Sequence, residues 1–184
     1  LILISPVLIL LAILIYLENP EAPILYKSKR VGKSNRLFNC LKFRSMVPDA
    51  ENLKAKLLDK NERDGGVLFK MEDDPRVTKI GGVLRKWSLD ELPQVFNVLK
   101  GDMSLIGPRP HLPEEVEKYH IDDRRILSIK PGMTGFAQIN GRSSLSLEEE
   151  MKFELFYMKN WTLWLDAIIF VKTILIILKR ENAS

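Results

Sequence analysis

The sequence predicts an α+β fold, and three features predict it. Apolar residues concentrate at the two ends of the chain, two short runs of strand character follow the first end, and much of the rest repeats with helical spacing between loops dense in proline and glycine. The 184 residues are enough to bury a core, and 46% apolar with 28% charged residues is the balance of a folded chain.

The first element is apolar. Leu1–Leu17 reads LILISPVLILLAILIYL, with no charge before Glu18. Crossing a bilayer takes ~20 apolar residues, so the run is borderline. Pro6 lacks an N–H and its ring collides with the preceding turn, so a bend is expected at Ser5–Pro6. Ser5 can satisfy backbone groups freed by that break. A spanning helix, a bent helix that enters and returns, and a buried core helix all remain open. A cleaved signal peptide does not fit, because neither a basic leader nor a small-residue cleavage site is present.

A basic block comes next. Between Ala22 and Pro48 there is no acid, while Lys27, Lys29, Arg30, Lys33, Arg36, Lys42 and Arg44 all fall there. It suits phosphates or anionic headgroups, and it places the chain after the apolar segment on the cytoplasmic side. Nucleic acid is not the expected partner, since no helix-turn-helix, zinc or aromatic-interleaved signature accompanies the block. Within it, Ile24–Arg30 and Leu37–Arg44 read as a β-hairpin around Gly32, Ser34 and Asn35. Leu41 and Phe43 should share one face, Cys40 and Lys42 the other. The single Cys40 excludes an internal disulfide, suits a reducing compartment and reads as a buried thiol. Gly32-Lys33-Ser34 resembles the end of a P-loop, but Lys27 stands where its first glycine belongs, which rejects that motif.

Asp49–Arg63 reads as a helix ended by Gly65–Gly66, and Glu72-Asp73-Asp74 with Pro75 as a solvated turn. Val77–Trp87 should be helical with an interruption at Gly81–Gly82. The stretch Ser104–Arg142 carries Gly107, Pro108, Pro110, Pro113, Pro131, Gly132, Gly135 and Gly141. One helix fits inside it, from Pro113 to about Leu127, and the remainder should be ordered loops. The last third is helical. Its tail, Trp161–Leu178, sets Trp161 and Trp164 beside an apolar run holding Asp166 and Lys172, a pattern for a helix lying at a membrane surface rather than crossing it.

The chemistry is expected in Trp87-Ser88-Leu89-Asp90-Glu91-Leu92-Pro93-Gln94. Ser88 and Glu91 fit a capping box, or Asp90 is itself the cap with Pro93 in the first turn. Either way the helix dipole should favour an ionised Asp90. Such a carboxylate can attack phosphorus and form an acyl phosphate, and Glu91 beside it can help hold Mg²⁺ with substrate phosphates. Arg109 lies between Pro108 and Pro110, whose rings restrict the backbone and preposition a guanidinium for phosphate. Arg85, Lys42 and Arg44 are further phosphate candidates. With two histidines, His111 and His120, and no Cys/His cluster, zinc chemistry is not expected.

Taken together the chain resembles the monotopic bacterial phosphoglycosyl transferases, or bacterial sugar transferases. The resemblance rests on Ser5–Pro6, Lys42-Phe43-Arg44-Ser45-Met46, Asp74-Pro75-Arg76, LRKWSLDELPQ from Leu84 to Gln94, NVLKGDMSLIGPRP from Asn97 to Pro110, KPGMTGFAQINGR from Lys130 to Arg142, and Asn160-Trp161 with Asp166. It implies a monotopic α+β membrane protein: a re-entrant helix over residues 1–17, broken at Ser5–Pro6, and a cytosolic catalytic domain over 18–184 with surface-lying helices. It implies Asp90 as nucleophile, Glu91 as its acidic partner at Mg²⁺, and Arg109 as phosphate clamp, with Arg142, Pro108 and Pro110 in the substrate-binding motifs. The substrates would be a UDP-sugar and polyprenol (undecaprenyl) phosphate at the bacterial inner membrane, with homodimerisation possible. Family members carry a basic stretch ahead of the apolar segment, and the Asp49–Gly66 insertion resembles the larger hexose-1-phosphate type. Further membrane and regulatory sequence upstream is therefore expected.

Overall fold

The computed structural model describes residues 4–57, 71, 73–141 and 145–179. Helix and strand are mixed, as expected. In chain order the elements are α1 (Ser5–Glu18), β1 (Leu25–Val31), β2 (Leu37–Phe43), α2 (Ala50–Lys56), α3 (Lys79–Lys86), α4 (Gln94–Lys100), β3 (Ser104–Ile106), α5 (Pro113–Glu117), β4 (Gly132–Thr134), α6 (Phe136–Ile139), α7 (Leu147–Lys159) and α8 (Leu163–Lys179). Strands β1 and β2 pair as the expected hairpin. Its turn is closed by the Gly32 N–H donating to Arg36 O at 2.8 Å, with Ser34 and Asn35 in the left-handed region. Cys40 and Phe43, on opposite faces, are both buried. Contacts divide the chain into two compact units, one of Leu1–Tyr26 with Lys42–Leu92, the other of Lys27–Leu41 with Pro93–Ala183.

The first unit is built on α1. Leu8, Leu11 and Ile15, spaced three and four apart, pack on Phe43 and Leu84. Full burial of each such side chain contributes ~1.5–3 kcal/mol. The other side of α1 exposes Ile9, Leu10, Ile13 and Leu17. Among the described residues no helix is long and apolar enough to cross a membrane. Helix α1 begins at Ser5 with Pro6 in its first turn, where the missing N–H needs no partner. The far side of the expected bend, residues 1–3, lies outside the described residues.

Arg44 ties this helix down. Its buried guanidinium donates to Ile15 O at 2.6 Å and Asn19 O at 3.0 Å, satisfying carbonyls at the end of α1, and to Pro23 O at 3.1 Å in the loop that follows. Glu18 adds a second tie by accepting the Ile80 N–H at 3.0 Å.

Two expectations are corrected in this unit. Helix α3 is not interrupted at Gly81–Gly82; it runs through both, capped by Thr78, whose hydroxyl accepts the Gly81 N–H at 2.9 Å. Gly81 is there for close approach, because a Cβ on it would lie 2.0 Å from Ser45 O. Nor is the acidic turn wholly solvated. Asp73 is exposed, but the Asp74 carboxylate is buried against the Arg76 guanidinium, which donates to it from Nε at 2.9 Å and Nη2 at 2.6 Å. That bidentate pairing compensates the burial of both charges. The expected Asp49–Arg63 helix is present as α2, with its later part and Gly65–Gly66 outside the described residues.

In the second unit, β3 and β4 form a parallel pair in register Ser104↔Gly132 and Ile106↔Thr134, where only loops were expected. At three residues each they are too short to show a strand period. Backbone contact replaces side chains here: a Cβ on Gly132 would stand 2.2 Å from Gly107 N. The single helix expected over Pro113–Leu127 is two pieces, α5 and a 3-10 turn at Asp123–Ser128. Between them lies His120-Ile121-Asp122, a run of weak helix formers with Ile121 largely in solvent.

Two small cores organise this unit: Val31, Val116, Tyr119, Ile126 and Met151 in one, Ile106, Tyr157 and Ile169 in the other. Asn97, buried on α4, accepts the Leu41 N–H at 2.9 Å and donates to Asn39 O at 2.8 Å. Ser146 and Glu149 form a reciprocal capping box at the start of α7. Asp166 joins α7 to α8 by accepting from Tyr157 Oη at 2.7 Å and Trp161 Nε1 at 3.1 Å.

Candidate active site

A short 3-10 turn, Leu89–Glu91, follows α3 and carries the two acids. Neither expected cap is formed. Ser88 sits in the left-handed region (φ 53°) and makes no side-chain cap to the turn, while Pro93 occupies the position ahead of α4. The left-handed residue reverses the chain after α3, so Leu89 and Leu92 pack on the α1 core and Asp90 is carried inward, 8% exposed.

Burial changes the electrostatics of Asp90. Its pKa is raised, first by desolvation and then by the neighbouring Glu91 carboxylate; Lys42 and Arg85 pull the other way. The dipole argument, which favours the ionised form, is thus outweighed. A carboxylate stripped of water and repelled by a second is more basic and holds its electron pair less tightly. Glu91 is the more exposed acid and is gripped by Lys42, whose Nζ donates to Oε1 at 2.6 Å. Lys42, Arg85, Asp90 and Glu91 therefore act on one another within the first unit. Arg44 does not join them; its guanidinium is spent on the α1 carbonyls.

The Asp90–Glu91 pair fits the donor set of a Mg²⁺ ion that takes phosphate oxygens or water as its other ligands, since two adjacent carboxylates repel until a cation lies between them. Among the described residues no three His, Cys, Asp or Glu side chains are placed to hold a metal by themselves. A structural cage of zinc or calcium type is thereby not formed by them.

The Pro-Arg-Pro loop belongs to the second unit. Pro108 is buried, and its carbonyl accepts the Gly132 N–H at 2.7 Å, while the Gly107 N–H donates to Thr134 O at 3.0 Å. The carbonyl of Pro110 accepts from Arg30 Nη1 at 3.1 Å. The loop is thus fixed on both sides of Arg109. Its backbone N–H donates to Glu154 and its guanidinium to Glu150, both on α7. Arg142 lies outside the described residues. The two acids were missed in the sequence, where Glu148-Glu149-Glu150 looks like a solvated helix start. A signal existed: Glu150, Glu154 and Tyr157 recur at helical spacing on the same stripe as Met151.

The family model for bacterial sugar transferases matches residues 1–180. The chain belongs to the bacterial sugar transferase family. Among its relatives in the family, the undecaprenyl-phosphate galactose phosphotransferase of Salmonella typhimurium is 46% identical over 168 residues, covering 88% of this chain and 34% of the relative. The galactosyl transferase CpsE of Streptococcus agalactiae is 47% identical, covering 88% and 36%. The UDP-galactose-lipid carrier transferase of Erwinia amylovora is 45% identical, covering 94% and 37%. The chain thus spans about a third of the length of these relatives.

Proposed function

We propose that this chain is a phosphoglycosyl transferase that moves a sugar-1-phosphate from a UDP-sugar to polyprenol (undecaprenyl) phosphate. The observation that carries the reading is the buried, desolvated Asp90 beside Glu91, with Lys42 bonded to that second acid. In the first step an Asp90 carboxylate oxygen attacks the sugar-linked phosphorus. The bond from that phosphorus to the oxygen of UMP breaks, and UMP leaves with the electron pair. In the second, an oxygen of polyprenol phosphate attacks the acyl-phosphate phosphorus; the bond to Asp90 breaks and the carboxylate returns. The product is a polyprenol diphosphate sugar, and the reaction would be the first membrane step of glycoconjugate or exopolysaccharide synthesis.

Each residue has a task in this scheme. Asp90 is the nucleophile, and burial keeps its oxygen basic. Glu91, with Asp90, would hold Mg²⁺, which when bound neutralises phosphate charge. Lys42 and Arg85 supply positive potential to the same phosphates. Arg109 is assigned to an anion on its chemistry, a guanidinium prepositioned by two prolines. Pairing a soluble donor with a lipid acceptor requires a membrane boundary. The exposed apolar side of α1 and the exposed Trp164, Phe170, Val171 and Leu178 of α8 support a monotopic seat, with Ser5–Pro6 as the break of a re-entrant helix. The inner membrane, with catalysis on its cytoplasmic face, is the matching location.

Intact-protein mass spectrometry tests the reading. The protein would be incubated with Mg²⁺ and a panel of UDP-sugars, without polyprenol phosphate. A mass gain of one sugar phosphate, lost in Asp90→Asn and in chelator, is the expected result and names the sugar. Normal transfer once lipid is added, with no adduct for any sugar, would mean direct transfer and remove Asp90 as nucleophile.

A further inference from the structure

Helix α7 meets the Pro108–Pro110 loop through two acidic side chains four residues apart. Glu154, fully buried, accepts the backbone N–H of Arg109 at 2.9 Å through Oε1. Glu150, also buried, accepts from Arg109 Nη1 at 3.3 Å and 3.4 Å through its two oxygens. One acid holds the main chain and the other aims the side chain. Buried acids are costly, and a helix face needed only for packing would carry apolar residues there, as α7 does at Met151.

We propose that Glu150 and Glu154 are positioning residues that preset the Arg109 guanidinium to receive a phosphate oxygen of the nucleotide-sugar. This rests on the reading of Arg109 as an anion ligand. Both bonds to Glu150 use Nη1. A guanidinium fixed this way loses little freedom when an anion binds, whereas an untethered arginine must be ordered at that moment.

The surroundings agree. His111 lies between Glu150, 3.7 Å from Nε2, and Glu115, 3.8 Å from Nδ1. Burial, with Arg109 and Arg30 beside it, pushes its pKa well below the ordinary 6.5, so it is neutral at pH 7. Burial also pushes Glu154 up to about 8, so at pH 7 it is mostly a neutral carboxyl accepting the Arg109 N–H. Glu150 faces Arg109 at 3.3 Å, and Glu115 faces Arg30 at 3.7 Å.

The test is a double-mutant cycle read by calorimetric binding of the UDP-sugar, with Mg²⁺, to the full chain. Arg109→Met should weaken binding ~10-fold or more, and Glu150→Gln ~5-fold or more, as for loss of a charge-assisted contact. In the Arg109→Met background Glu150→Gln should cost under ~2-fold, because its effect passes through Arg109. Glu154→Gln, which keeps an oxygen for the Arg109 N–H, should bind far better than Glu154→Leu. Multiplying costs of Glu150→Gln and Arg109→Met, or Glu154→Gln as weak as Glu154→Leu, would show that the acids serve only the fold. Unchanged binding in Arg109→Met would overturn both this inference and the role of Arg109. Transfer to polyprenol phosphate is measured separately: if transfer fails while binding follows the cycle, the reaction assignment falls and the positioning stands.

Discussion

Lys42 Nζ lies 2.6 Å from Glu91 Oε1, next in sequence to the buried carboxyl of Asp90. The contact joins the end of β2 to the acidic turn and sets the charge balance there. Lys42 stabilises the ionised form of Asp90, so its removal raises that pKa further. Lys42→Met should therefore lower transfer about 10- to 100-fold at neutral pH, the size of a lost charged hydrogen bond. The acid limb of its pH–rate profile should move to higher pH. An unmoved limb would detach Lys42 from Asp90.

Gly81 and Gly82 give opposite outcomes from one change. Gly81→Ala drives a Cβ into Ser45 O and should destabilise by roughly 1–3 kcal/mol or more. Gly82 is exposed, its added Cβ would meet only Val77 at 3.9 Å, and alanine there should stabilise α3 by roughly 0.5–1 kcal/mol. Denaturant unfolding of the two variants settles the sign of each.

Asp74 and Arg76 make a buried bidentate pair, and the bonds from Arg76 hold the Asp74 pKa below its ordinary 3.8. The pair therefore stabilises the fold above pH 3.8 and loses that contribution as pH falls through the folded value. Asp74→Asn strands a buried guanidinium and should cost about 3–5 kcal/mol at neutral pH. The gap from the parent protein should narrow below pH 3.8, as followed by unfolding at both pH values.

Glu154 has the opposite sign. Its folded pKa of about 8 stands above the ordinary 4.5, so the folded state binds the extra proton and stability falls as pH rises between these values. Replacing it by glutamine removes the titration. Parent and Glu154→Gln unfolding free energies should diverge in favour of the variant by roughly a few kcal/mol from pH 5 to pH 8. A constant difference would mean Glu154 is ionised throughout.

The markers of the candidate site are local in the sequence. Asp90-Glu91, the arginine between two prolines and the Lys42-Phe43-Arg44 run are stretches of a few residues, and local chemistry marks them as candidates. What escaped depended on distant partners. Arg44 reads as one more cation of the basic block, and only the carbonyl oxygens of Ile15, Asn19 and Pro23 reveal it as a brace. Gly81 reads as a helix breaker until Ser45 is seen against it. The β3–β4 pair joins three-residue segments far apart in the chain, too short for any period to show.

The sequence by itself determined the family, the mixed fold, the hairpin and its turn, and which carboxylates and cations are available for phosphate chemistry. Periodicity, turn residues and contiguous motifs need no knowledge of what lies elsewhere in the chain. Only the tertiary structure decided the state and use of those groups. Burial reversed the expected shift of Asp90, assigned Lys42 to Glu91, and brought Glu150 and Glu154 to Arg109 across more than forty positions of sequence. Desolvation and charge pairing depend on which atoms are neighbours, and chain order does not specify that.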